Sequence, residues 1–169
     1  ADANASGIAV LLSLADSLRS APSNYIFTAL DAHNADRAGS ERLAATLEQK
    51  LSMVANIDII GSTLAPPNKY RPDFLICLGA EDYEKQMEKL NIPTHLRLYY
   101  DYYRSKGFTD YFYNTAGDQA PFLKKKIPAV MFTSGITMNT NKASDSFETL
   151  DYGVMERRRD FILAWLRTL

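Results

Sequence analysis

The residues able to do chemistry in this chain are few. His33 and His95 are its two histidines, Cys77 its one cysteine, and Asp58 sits alone in an apolar run, Asn56-Ile57-Asp58-Ile59-Ile60. A single cysteine excludes an internal disulfide and any cysteine-built zinc cluster. Two histidines far apart could share a metal, but carboxylates would have to complete the site. An imidazole at His33 has the titration range for acid–base work, as a general base or as a single metal ligand; a lone histidine after a strand is also commonly a hydrogen-bonded loop residue. Asp58 reads two ways as well: a ligand facing a crevice, or an acid accepting backbone N–H groups from a neighbouring loop.

The elements that must position these groups follow from hydrophobic periodicity. The chain has 169 residues, 46% hydrophobic and 23% charged, with 19 Lys and Arg against 20 Asp and Glu. That length fits one domain of roughly 100–200 residues, and the near-neutral charge gives no reason to expect nucleic acid as a partner. No run of 18 apolar residues is present, so no membrane span is expected. Residues 8–19 carry apolar positions Ile8, Leu11, Leu12, Ala15 and Leu18 at helical spacing, widened by Val10 and Leu14, and predict a well-buried helix. Tyr25–Leu30 reads as a buried strand. Leu43, Leu47 and Leu51 mark a second helix starting at Gly39-Ser40. Strands are expected over 56–60, 73–78, 95–100 and 129–133. Helical segments are expected over 80–90 and 121–126 and from Asp151 to the end, with loops over 62–71 and 134–149. Strands alternating with helices predict an α/β fold, a three-layer helix/sheet/helix arrangement around a mostly parallel sheet. In such sheets ligands bind beyond the carboxyl ends of the strands. The segments after residues 30, 60 and 133, and the entry to the first helix, are therefore the ones that matter.

Those segments resemble the di-zinc aminopeptidase family, whose relatives include bacterial leucyl aminopeptidases and glutaminyl cyclases. Asp2-Ala3-Asn4-Ala5-Ser6-Gly7-Ile8-Ala9 is similar to the family's Asp-Asp-Asn-Ala-Ser-Gly-Val-Ala helix entry. Phe27–Ser40 resembles its strand followed by Asp-Ala-Glu-Glu and Gly-Ser, and Asn56–Gly61 its Asn-Leu-Asp-Met-Ile-Gly. Gly117–Phe122 with Ile127–Thr133 resembles its Ser-Asp-His…Pro-Phe and Ile-Pro-Ala strand, and Asn141–Tyr152 its His-Thr-Pro-x-Asp-Thr…Leu-Asp-Tyr. The motifs occur in family order over nearly the whole chain. The resemblance implies a zinc-exopeptidase-like fold spanning residues 1–169 as a single domain. It also implies a further His ligand upstream, so the chain is expected to be the C-terminal larger part of a longer domain, without its N-terminal strands.

In the family two zinc ions share a water whose pKa they lower, and a Glu acts as base. The resemblance places this chain's residues at those positions with other side chains. His33 stands at the general-base position and Asn34 at the adjacent ligand. Ala3 stands at the bridging carboxylate, with Asp2 one place too early, and Asn141 at the last His ligand. Asp58 alone keeps a ligand side chain. Structural and catalytic zinc sites use at least three protein ligands, so no zinc is expected and the reading is a degenerate relative without peptidase activity. It would keep the crevice for a peptide, glycan or protein partner. The alternatives are an active zinc-dependent aminopeptidase or amidohydrolase completed by upstream residues, and a purely structural module. Asp118 matches the Asp of Ser-Asp-His and is a candidate binding residue; Asp145 is expected to fix its loop. Tyr102 and Tyr103, within a cluster that includes Tyr99, Tyr100, Tyr111 and Tyr113, are candidates for a recognition surface. Lys124–Lys126 and Arg157–Arg159 read as solvated faces, Asp2 as a frayed-terminus residue, and Cys77 as buried and inert. No export signal is visible in the sequence, although the resemblance favours an exported, periplasmic or extracellular protein.

Overall fold

The computed structural model describes residues 1–169. Its centre is a four-stranded sheet of β1 (Val54–Ile57), β2 (Phe74–Leu78), β3 (Arg97–Tyr99) and β4 (Ala129–Thr133), in the order β1-β4-β2-β3. β1 pairs parallel with β4 and β2 parallel with β3, while β2 and β4 run antiparallel. The two central strands, Phe74-Leu75-Ile76-Cys77-Leu78 and Ala129-Val130-Met131-Phe132-Thr133, are buried at every position. This explains why they read as unbroken apolar runs and not as alternations.

Side-chain alternation sends the two faces of the sheet into separate cores. Leu75, Cys77, Val130 and Phe132 pack with Val10 and Leu14 of α1 (Gly7–Ser17) and with Phe161, Ile162 and Trp165 of a long C-terminal helix. Phe74, Ile76, Leu78 and Met131 face the other way, onto Tyr102. α2 (Ala38–Thr46) precedes β1, α3 (Glu84–Leu90) joins β2 to β3, α4 (Lys106–Tyr111) and α5 (Ala120–Lys124) lie between β3 and β4, and α6 (Tyr152–Leu166) ends the fold. Asp151 caps α6, its carboxylate accepting the Val154 amide at 3.0 Å, an N-cap interaction. The α/β architecture with a mostly parallel sheet is as the sequence predicts. No helix is long and apolar enough to cross a membrane.

Several local expectations are corrected. Tyr25–Leu30 has no regular secondary structure; its burial alternates from Tyr25 to Thr28, but it joins no strand ladder, and the sheet ends at β1. Alternation reports which face is covered, and a hydrogen-bonded neighbour is a separate requirement. The second helix stops at Thr46: Leu47 is already extended at φ −68, ψ 118, so Leu51 lies beyond it. Helix α1 buries the stripe Gly7, Val10 and Leu14, while Leu12 is 66% exposed. Residues 106–116, which carry no periodic apolar stripe, are helical. Ser105 starts them by accepting the Phe108 amide at 3.3 Å.

The basic triplet Arg157–Arg159 is not a solvated face. Arg158 is 0% exposed and donates to three backbone carbonyls, Phe74 at 2.7 Å and Ile60 and Ser62 at 2.9 Å. Burial pulls its guanidinium down to about 10, so it remains a cation at neutral pH. It clamps β2 to the turn that follows β1.

Candidate functional site

The entry to α1 is a latch built from alternate side chains. Asp2 is not a frayed terminus but 3% exposed, with its Oδ1 accepting the Gly61 amide at 2.8 Å and the Ser6 hydroxyl at 3.0 Å. Asn4 accepts the Ile59 amide at 3.0 Å and the Gly7 amide at 3.1 Å, and its Nδ2 donates to the Ile57 carbonyl at 3.0 Å. The Ser6 hydroxyl accepts the Ile60 amide at 3.0 Å. Residues 2, 4 and 6 thus stitch the helix entry to residues 57–61. Asp145 closes the other side, accepting the amides of Asp2 at 2.8 Å and Ala3 at 3.0 Å. These amides pull the Asp145 carboxyl below its usual range against the opposing cost of burial. Asp145 therefore fixes its loop, as expected. Asp145→Ala should lose two charge-assisted bonds and cost about 2–3 kcal/mol. Chemical denaturation should report this as a lower midpoint at unchanged slope.

Behind the latch, Ile59 adopts a left-handed conformation at φ 54, rare for a β-branched residue. It is held there by Asn4 on its amide and, on its carbonyl, by the Ser134 amide at 2.6 Å and the Ser134 hydroxyl at 2.9 Å. This turn follows β1, with Asp58 between Ile57, the last residue of the strand, and Ile59.

Ala3, His33, Asn34, Asp58, Asp118 and Asn141 all line one cavity of about 1140 Å³. The six positions singled out on the strand ends are thus brought together, from the helix entry, the segment before α2, the end of β1, the loop before α5 and the long loop after β4. Tyr102 and Tyr103 do not line it. Tyr102 is 3% exposed, stacked on Phe112 at 4.4 Å between ring centroids, and its hydroxyl accepts the Ile136 amide at 2.8 Å. The Tyr103 hydroxyl donates to the Ala65 carbonyl. Both rings are spent on packing, which corrects the expectation of a recognition surface there.

At the rim, the His33 Nδ1 lies 3.1 Å from an Asp118 carboxylate oxygen, and the Ser40 hydroxyl donates to the other Asp118 oxygen at 2.8 Å. A carboxylate only accepts, so Nδ1 carries the proton of this contact. Asp118 is therefore engaged by the protein itself. Gln119, in the motif position of a His, is fully buried. Its amide donates to the carbonyls of Phe112 at 3.0 Å and Tyr113 at 2.7 Å and accepts from Asn56 at 2.8 Å. Asn141 has φ 61, in the left-handed region that asparagine tolerates better than most residues.

Asp58 differs from these residues. Its amide bonds to Phe132 in the ladder, but its carboxylate accepts no hydrogen bond from the protein, contrary to the expectation that it would cap a neighbouring loop. Burial in the crevice pushes its pKa up to about 6, opposed by nearby His33 and reinforced by Asp118 and Asp2. The folded state therefore binds the Asp58 proton more tightly than the unfolded chain, and charging Asp58 costs stability as pH rises from about 4 to 6. Asp58→Asn is expected to raise the thermal midpoint at pH 7 and to leave it unchanged near pH 3.5. An equal effect at both pH values would show that Asp58 is not held desolvated.

A family model described as peptidase family M28 matches residues 1–166. The chain belongs to peptidase family M28. Three solved structures share this M28 fold at low identity. The LapA aminopeptidase of Legionella pneumophila superposes with TM-score 0.74 at 15% identity, covering 98% of this chain and 45% of that one. BSAP, a zinc aminopeptidase from Bacillus subtilis, gives 0.74 at 18%, covering 98% and 41%. An aminopeptidase from Aneurinibacillus sp. strain AM-1 gives 0.70 at 18%, covering 97% and 38%. The chain thus spans less than half the length of these proteins. Comparison with curated proteins returns no match.

The residues of this M28 chain do not fit the zinc that the family uses. No group of three or more His, Cys, Asp or Glu side chains is placed to hold a metal ion. Ala3 offers no donor atom, Asn34 and Asn141 offer neutral amides, and His33 has one ring nitrogen committed to Asp118. Asp58 is left as the one unengaged carboxylate, and one carboxylate is well short of the three ligands zinc requires.

Proposed function

We propose that this M28 domain is a degenerate zinc-aminopeptidase-like domain that binds a peptide in the family crevice without hydrolysing it. One observation carries this reading. The latch at the helix entry is hydrogen-bonded through Asp2, Asn4, Ser6 and Asp145, while the family's ligand positions along the cavity carry Ala3, Asn34 and Asn141. Scaffold and cavity are kept and the donors are replaced. The bound class is taken to be peptide because the family acts on peptides, and the site is taken to work without zinc because its donors do not fit the metal. An exported location is part of this proposal and rests on the family resemblance alone.

The test is peptide binding in chelator. A small library of fluorescein-labelled peptides should contain members that bind with a saturable anisotropy change in EDTA. Those peptides should be recovered intact by mass spectrometry after prolonged incubation with added zinc. Release of amino acids on zinc addition would support instead an active enzyme with an altered site, and no binding of any peptide would leave the domain a structural module.

A further inference from the structure

We draw no further inference here: the strongest candidate, the small apolar surface groove walled by Leu64 and Ala65 of the loop after β1 and by Ile136 and Met138 of the loop after β4, is an unpartnered apolar face, and nothing in the structure shows what covers it.

Discussion

Restoring donors should restore metal. The variant Ala3→Asp, Asn34→Glu, Asn141→His, together with native Asp58, is expected to bind zinc at least about 1000-fold more tightly than the native chain, equivalent to about 4 kcal/mol. The geometry favours this outcome. The Ala3 amide is held by Asp145, so a longer side chain at position 3 projects into the cavity the residue already lines. Position 141 sits at φ 61, and histidine is among the residues that tolerate that region. Two added carboxylates beside Asp58 and Asp118 repel one another in the absence of metal, so the thermal midpoint of the apo variant should fall. Zinc should then raise it by mass action, whereas it should leave the native protein unmoved. Competition with a chromophoric chelator gives the affinities, and calorimetry gives the midpoints. Ala3→Asp alone should gain little, since two donors remain below the three that zinc requires. A triple variant that binds no better than the native protein would mean that the cavity has lost the geometry of the site as well as its side chains.

The second large effect is expected far from any chemistry. Arg158→Met should destabilise the fold by about 3 kcal/mol. The substitution leaves the carbonyls of Phe74, Ile60 and Ser62 buried without their donor, each an unsatisfied group costing about 1–3 kcal/mol, partly offset because a desolvated cation is removed. Asp2 and Asp151 both favour the charged guanidinium, and Asp2 holds Gly61 in the turn whose flanking carbonyls Arg158 holds. With a slope of about 1–3 kcal/mol/M, the urea midpoint should fall by about 1–3 M. Arg158→Lys, which keeps the charge but not the planar fork, should recover only part of the loss. A midpoint within experimental error of the native one would show that Arg158 does not bear this load.

Much of this was legible in the residues. β2 and β4 stood out as five-residue apolar runs, and Asp151 announced the start of α6. The strand-end motifs led to Ala3, His33, Asn34, Asp58, Asp118 and Asn141, which do converge on one cavity. What escaped did so for identifiable reasons. Arg158 was read with its charged neighbours, yet it lies four residues after Val154 and three and four before Phe161 and Ile162. Helical period therefore places it on the buried stripe. Asp2, Asn4 and Ser6 were read as motif letters, although their spacing of two, followed by Gly7, is that of side chains turned back onto the backbone. Asp58 was expected to cap a loop, but Asn4 and Ser6 already take the nearby amides of Ile59 and Ile60, which leaves its carboxylate no partner. The tyrosine cluster showed composition only, and whether a ring packs or binds depends on what its hydroxyl meets. The missing ladder at Tyr25–Leu30 concerns hydrogen-bond partners, which periodicity does not encode.

The central proposal is that the residues this chain places at the family's ligand positions hold no zinc. Equilibrium dialysis of the native protein against micromolar zinc at pH 7.5, read by elemental analysis, tests it most directly. The account predicts less than one-tenth of a zinc ion per chain, unchanged by Asp58→Asn. One or two zinc ions per chain, lost on Asp58→Asn, would contradict it.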